Sequence, residues 1–380
     1  MDGTKRPNWR PTRRAYLATG FTALGTVLAG CTGDSSGPTT GTDSNANDDT
    51  DESYSVSIEP MGTVSFDSVP QTWVANNGSW ADMGIALGLE PPKGVWLTDR
   101  YHTQYYDAIP AVSVSTEEMV SLYQDGVSKE RFYDLDADVH VIDPNFLMNR
   151  FKGWEKSDVD EIRTNVSPFF GNSTYAQHYP WHEEYRYYTL YEGFEKLAQV
   201  FRRTDRYDAF VNLHDDFQNT LKPIVNERST RAGAVLWGTG DTPKEFYPYR
   251  IGNGTGFKHL RDLGVSDALA NSDVSDFHGS RTAVDFETIL EVDPEVLLLR
   301  GYETKTASEF QNTVVTFLES HPTASELTAV SNGDVYRAGG LYQGPITNMV
   351  LTERLGSALF NIQKDLFDRD RVGAIVNGEF

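Results

Sequence analysis

The chain has 380 residues, with 33 lysines and arginines against 55 aspartates and glutamates, a net charge of −22. That balance excludes a nucleic-acid binder, which needs a basic patch, and the single cysteine excludes an intramolecular disulfide. With 39% hydrophobic and 12% aromatic residues, the length supports two domains of ~100–200 residues each.

Residues 1–31 read as an export signal. Arg13-Arg14 form a twin arginine, and Ala15 to Gly30 is apolar or small with no charge. The run is too short for a membrane span of ~20 apolar residues, but a basic head before a short apolar middle marks a secretory segment. The twin arginine points to export of an already folded protein. Leu28-Ala29-Gly30-Cys31 resembles a lipobox, which makes Cys31 the expected lipid-attachment residue. The plain alternative is a buried N-terminal helix with an incidental cysteine. The adjoining segment could not pack against such a helix: Thr32 to Ser55 is dominated by Gly, Ser, Thr, Asn and Asp and reads as a flexible tether. Four Asn-x-Ser/Thr sequons, at Asn77, Asn165, Asn172 and Asn253, open a route to surface glycosylation.

Past the tether, "VSI", "TVSF" and "TWVAN" read as strands, the last ending in the turn Asn76-Asn77-Gly78. "SWADMGIALGL" predicts a helix capped by Ser79, "KGVWLT" a strand, and "STEEMVSLYQ" a helix opening at Ser115 or Thr116. "SKERFYDLDADVHVID" reads as helix, turn and buried strand, and "DVDEIRTNVSPFFG" repeats that order. Alternation of strand and helix predicts a parallel α/β sheet. Then "EEYRYYTLYEGFEKLAQVFRR" and "TDRYDAFVNLHDDFQNTLKPIVNERS" are long helical patterns, with Thr204 as a cap for the second. Alternation resumes with "AGAVLWG", "GFKHLRDLGV", "DFETILEVDPEVLLLRG", "TASEFQNTVVTFLES", "GDVYRAG" and "TNMVLTERLGSALF". The expected organisation is an N-terminal lobe over 56–203, a connecting helix over 204–228 and a C-terminal lobe over 229–380. An internal echo supports duplication: Ser128 onward laid over Asp285 onward matches Glu130 with Glu287, Asp136 with Asp293 and Val139 with Val296.

"FETILEVDPEVLLL", "LTAVSNGDVYRAGG" and "GTVSFDSVPQTWVAN…ADMGIALGL" resemble the substrate-binding proteins of ABC importers for iron–siderophore, haem and cobalamin, over about Ser55 to Phe380. The resemblance implies a class III periplasmic-binding-protein fold, two Rossmann-like lobes joined by a single long α-helix, with ligand in the cleft between them. It implies a membrane ABC permease as partner. It also implies that Glu130 and Glu287, one on the outer face of each lobe, meet arginines of that permease. Their plain reading is an acid near a helix N-terminus, worth ~0.3–1 kcal/mol. Ser167 to Arg186 departs from the family's simplest pattern, being rich in Tyr, Trp and His. The twin arginine and the acidic composition fit a haloarchaeal-type lipoprotein, held on the outer face of the cell membrane by an acylated cysteine.

No catalytic constellation stands out. "HEEYR" at His182 lacks the second histidine of HExxH, and GxSxG, P-loop and GxGxxG motifs are absent. Eight scattered histidines make a poor set for bare zinc or manganese, and the many tyrosines leave ferric ligation open. A bulky iron chelate, with no further cofactor, needs an aromatic cleft with a few polar anchors, placed where strands end in loops. In the first lobe the candidates are Trp80, Arg100, Tyr101, His102 and Tyr105, then Tyr179, Trp181 and His182. In the second they are Trp237, Tyr247, Tyr249 and Arg250, then His278, Arg281, Tyr302, Arg337 and Tyr342. Taken singly, each is equally well read as surface packing or a satisfied hydrogen bond, and only the clustering raises the group. The rivals to iron–siderophore capture are cobalamin or haem as ligand, an exported metal-dependent hydrolase, and a surface adhesion lipoprotein. For the anchor, Cys31→Ser is expected to leave the domain folded but release it to the medium or block its processing. Detergent partitioning of the two forms checks this, and a serine variant that still partitions wholly into detergent removes the anchor.

Overall fold

In the computed structural model, described for residues 53–124, 126–150, 153–177 and 179–380, the chain opens with a hairpin. β1 (Tyr54–Ile58) pairs antiparallel with β2 (Gly62–Phe66). Cys31, the twin arginine and most of the tether lie outside the described residues. The expected tether boundary moves: Tyr54 and Ser55 are strand. The Tyr54 ring stacks on Phe66 at 5.4 Å, and its hydroxyl donates to the Val200 carbonyl.

The first lobe holds four short parallel strands, β3 (Trp73–Ala75), β4 (Gly94–Val95), β5 (Val120–Ser121) and β6 (Val139–Val141), in the order β5-β4-β3-β6. The second holds β7 (Ala232–Trp237), β8 (Tyr247–Tyr249), β9 (Ser266–Asp267), β10 (Val296–Arg300) and β11 (Val335–Arg337), in the order β11-β10-β7-β8, with β9 also on β7. Only β8 runs antiparallel there. β7 and β10 are near-continuous apolar runs because both faces of the sheet are covered. Ala234, Leu236, Leu297 and Leu299 enter one core. Val235, Val296 and Leu298 enter another, which includes Trp80, Met83 and Phe194 of the first lobe. Between the two sheets in sequence runs the helix Thr204–Asn226, whose buried stripe is Phe210, Leu213, Phe217 and Leu221. Among the described residues no helix is long and apolar enough to cross a membrane.

Four local expectations are corrected. Ser115–Gln124 is not a helix: Met119 N–H closes a turn on Thr116 O, and Val120 N–H goes to Lys93 O, drawing the segment into the sheet as β5. The helix Gly78–Ala86 is capped by Asn77, which accepts from Ser79 N–H, because the buried Ser79 hydroxyl is used elsewhere. Thr204 is the first helical residue, after Arg203 in the cap position. The preceding helix begins only at Leu190, fixed by a capping box of Thr189 and Glu192. Two sequon asparagines, Asn77 and Asn172, are buried and hydrogen-bonded.

The internal echo is structural. The helices Lys129–Leu135 and Phe286–Val292 each end on an aspartate in left-handed conformation, Asp136 at φ 42° and Asp293 at φ 43°, a geometry aspartate tolerates better than most residues. Each leads to a strand starting at the equivalent residue, Val139 or Val296. The acid between them accepts backbone N–H groups at the start of the neighbouring strand: Asp138 from Gln71 and Thr72, Glu295 from Ala232. Glu130 and Glu287 are exposed in the first turns of these twin helices.

Two buried carboxylates tie the lobes together. Asp82, from the first lobe, accepts at Oδ2 from Ile346 N–H (3.1 Å), Thr347 N–H (3.1 Å) and the Thr347 hydroxyl (3.0 Å), at the start of the helix Pro345–Phe360. Its Oδ1 accepts from Tyr106 at 2.7 Å. A Cβ on Gly344 would come 2.5 Å from Asp82 Oδ2, so glycine is what lets the carboxylate approach. Glu303, from the second lobe, accepts from Arg354 Nη1 (3.0 Å), Gly339 N–H (2.9 Å) and the hydroxyl of Tyr105 across the interface. The two acids titrate apart. Burial pushes Glu303 up, but the Arg354 guanidinium, the Tyr105 hydroxyl and His102 together outweigh it and hold the acid at about 2. Asp82 has no cation among the described residues: burial pushes it up to about 6, restrained by Tyr106, Thr347 and Ile346.

This raised value fixes the sign of a pH effect. Asp82's contribution to stability is full below the ordinary carboxylate range and is lost as pH rises through about 6. Between about pH 3 and pH 7.5 the stability of wild type relative to Asp82→Asn is expected to fall by about 3 kcal/mol, each tenfold change in proton affinity being worth ~1.4 kcal/mol. Thermal melts of both proteins across that range check it, and parallel curves remove Asp82 as the titrating group.

Candidate ligand-binding cleft

A cavity of about 360 Å³ lies where the two lobes face each other. From the first lobe it is lined by Trp96, Arg100, Phe146, Arg150 and Tyr179. From the second come Trp237, Thr239, Tyr247, Tyr249, Phe277, His278, Arg281, Leu341 and Tyr342. The position follows from topology. Trp96 comes directly after β4, Phe146 lies beyond β6 and Trp237 ends β7. These are carboxyl ends of parallel strands, where open α/β sheets present their loops.

Cations and rings from opposite lobes meet across it. Arg100 lies over the Trp237 ring at 4.9 Å. Arg281 lies 5.9 Å from Tyr179 and 5.0 Å from Phe277. Tyr342 meets Tyr175 edge-on at 5.3 Å, and Tyr179 meets His278 at 5.2 Å. Arg281 occupies a left-handed cap at φ 59° after the short helix Phe277–Ser280, which turns its side chain to this wall. Among the described residues no carboxylate pairs with Arg100 or Arg281. Burial, and then Arg150, push the Arg281 guanidinium down. The cavity thus concentrates positive charge on a chain of net −22.

His278 is oriented by Asp276, whose Oδ1 accepts from the His278 backbone N–H at 2.8 Å and lies 3.2 Å from Nδ1. Burial pushes the imidazole down, so it is neutral at pH 7. The acceptor fixes the tautomer: Nδ1 carries the proton and Nε2 keeps its lone pair. Burial pushes the Tyr249 phenol up to about 12, restrained by Arg300 and Arg100. The donor set is neutral phenols, one neutral imidazole and guanidinium groups. Among the described residues no group of three or more His, Cys, Asp or Glu gathers to hold a bare metal ion.

Of the sequence candidates, Arg100, Tyr179, Trp237, Tyr247, Tyr249, His278, Arg281 and Tyr342 line this cavity. The others do not, and each has another engagement. Trp80 is in the core, donating Nε1–H to Asn172 O at 3.2 Å. Tyr101 and Tyr106 share a hydrogen bond of 2.7 Å beside Asp82. Tyr105 donates to Glu303, and His102 packs against Tyr105 and Gly340. Trp181 stacks on Tyr179 at 4.4 Å, outside the lining. His182 stacks on Tyr185 at 4.0 Å and shares a hydrogen bond with Tyr187. Arg250 pairs with Asp267, Tyr302 is in the core of the second lobe, and Arg337 donates to Lys305 O. Trp96, Phe146, Arg150, Thr239, Phe277 and Leu341 line the cavity without being sequence candidates. The strand-end rule, extended to the segment after "VHVID", reaches Phe146 and Arg150.

Fold and cleft together define a two-lobed binding protein. A model of the periplasmic binding protein family matches residues 74–340, and the chain belongs to that family. No curated protein matches it. Many solved structures share the fold, among them the following three. The iron uptake ABC transporter substrate-binding protein PiuA from Streptococcus pneumoniae aligns at TM-score 0.55 and 15% identity, covering 81% of this chain and 100% of that one. An ABC-type Fe3+-hydroxamate transport system from Saccharomonospora viridis aligns at 0.53 and 19%, covering 78% and 96%. The periplasmic catecholate-siderophore binding protein VctP from Vibrio cholerae aligns at 0.52 and 18%, covering 83% and 99%.

Proposed function

We propose that this chain captures an anionic ferric chelate in the interlobe cleft and delivers it to an ABC permease, held at the outer face of the membrane through Cys31. The observation that carries this is Arg100, Arg150 and Arg281 on one aromatic cavity of an acidic protein. A guanidinium fork suits the paired oxygens of a catecholate, carboxylate or hydroxamate, while the rings cover the flat ligand faces. Three of the structures that share the fold, named for iron uptake, Fe3+-hydroxamate transport and catecholate-siderophore binding, support the same reading. Haem is a second reading, favoured by His278, whose Nε2 has the lone pair of an axial ligand.

The ligand is tested by titrating the purified protein with a ferric tris-catecholate complex, with haem and with zinc. Trp96 and Trp237 line the cavity, so saturable quenching by the ferric complex is expected and none by zinc. Arg100→Ala and Arg281→Ala are each expected to weaken binding by about 10–100-fold, the loss of ~1.5–3 kcal/mol for a hydrogen bond to a charged group. Tight zinc binding without any response to the ferric complex overturns the proposal, and a saturable haem spectrum alone transfers it to haem.

For docking, the twin positions of Glu130 and Glu287 support one contact per lobe with the permease. Each exposed pair is worth ~0–1 kcal/mol, and at 1 M salt the Debye length of ~3 Å leaves only direct contact. Glu130→Ala with Glu287→Ala is expected to lower cellular uptake of the labelled complex with no change in soluble affinity. Unchanged uptake removes these residues from docking, and lost affinity moves them to ligand binding.

A further inference from the structure

Arg300 ends β10, in register with Trp237 at the end of β7, and is fully buried. Its Nη2 donates to the Gly256 carbonyl. Nε and Nη1 are buried and have no hydrogen-bond partner among the described residues. The nearby acids are committed elsewhere: Glu303 to Arg354, and Asp276 to His278. The guanidinium instead lies between rings, 4.5 Å from Phe257 and 5.8 Å from Tyr249. Burial pushes it down only to about 10, so it is charged at neutral pH.

As a structural device this is a poor choice. A buried cation without an ion pair is costly, and an apolar side chain of similar volume is often as stable or more so. Two orphaned donors in a folded protein call for an explanation. The neighbouring ring supplies one, because Tyr249 lines the cleft. Of the charges acting on the Tyr249 phenol, Arg300 is the strongest, ahead of Arg100, and Arg300 also acts on His278.

We propose that Arg300 is a positioning residue for an anionic ligand, a fixed positive charge held one aromatic layer behind the cleft wall and acting through Tyr249. It rests on the anionic-chelate reading and adds to it a residue that does not line the cavity. At this depth salt screens the charge far less than it screens the surface.

The test compares Arg300→Met and Arg300→Lys with wild type, by titration with the ferric tris-catecholate complex (net charge −3) and by thermal melting of the unliganded proteins. The methionine variant is expected to melt no lower than wild type yet bind at least about tenfold more weakly, a size reasonable for one buried charge at several ångströms. Unchanged affinity in that variant overturns the proposal whatever the melting temperature. If the methionine variant loses both stability and affinity, the lysine variant decides: recovered binding assigns the loss to charge, and unrecovered binding assigns Arg300 to packing. A wild type that does not bind the complex removes the anionic-ligand reading and this inference with it, whereas an indifferent methionine variant removes this inference alone.

Discussion

The stretch Gly339–Gly344 is gripped from both lobes, and the cleft depends on that grip. Glu303 holds Gly339 N–H. The Ser79 hydroxyl accepts from Gln343 N–H at 3.0 Å, and Asp82 takes the first turn of the helix immediately after. Leu341 and Tyr342, which line the cavity, sit between these fixed points. A helix start is a natural place for an anion, since its N–H groups are otherwise unsatisfied. Here the anion comes from the opposite lobe, so satisfying the helix and joining the lobes are one event.

The two carboxylates solve the same problem differently. Glu303 is neutralised by Arg354 and remains ionised under any physiological condition. Asp82 is neutralised by dipoles alone: two amides and two hydroxyls. A buried charge compensated in this way depends on every donor being in place. The close fit of Gly344 against Asp82 is part of that requirement.

The duplicated helix–turn–strand units are legible in the sequence because their spacing repeats over many residues and both strands are buried. The position of the cleft is legible because strand ends dictate it. What local pattern misjudges has a common cause. "STEEMV" has a good helix start, but Val120 finds a better partner in Lys93, just ahead of the neighbouring strand Gly94–Val95. Tyr101, Tyr105 and Tyr106 belong to an aromatic-rich loop whose composition suggests a ligand-facing wall. They turn inward instead: Tyr106 donates to buried Asp82, Tyr105 to buried Glu303, and Tyr101 shares a hydrogen bond with Tyr106. The Tyr105–Glu303 pairing spans 198 residues, and no window of sequence contains both partners. Phe146 and Arg150 lie on a helix after β6, which the strand-end rule reaches only when it is carried past the strand's own loop.

The cross-lobe pairs of Arg100 with Trp237 and Arg281 with Tyr179 also bear on exchange. The cations of the cleft rest on its own rings. A ligand that engages those cations has to displace the rings, so its net affinity is a difference between two sets of similar contacts, and its binding and release are a swap of neighbours with no opening of the core.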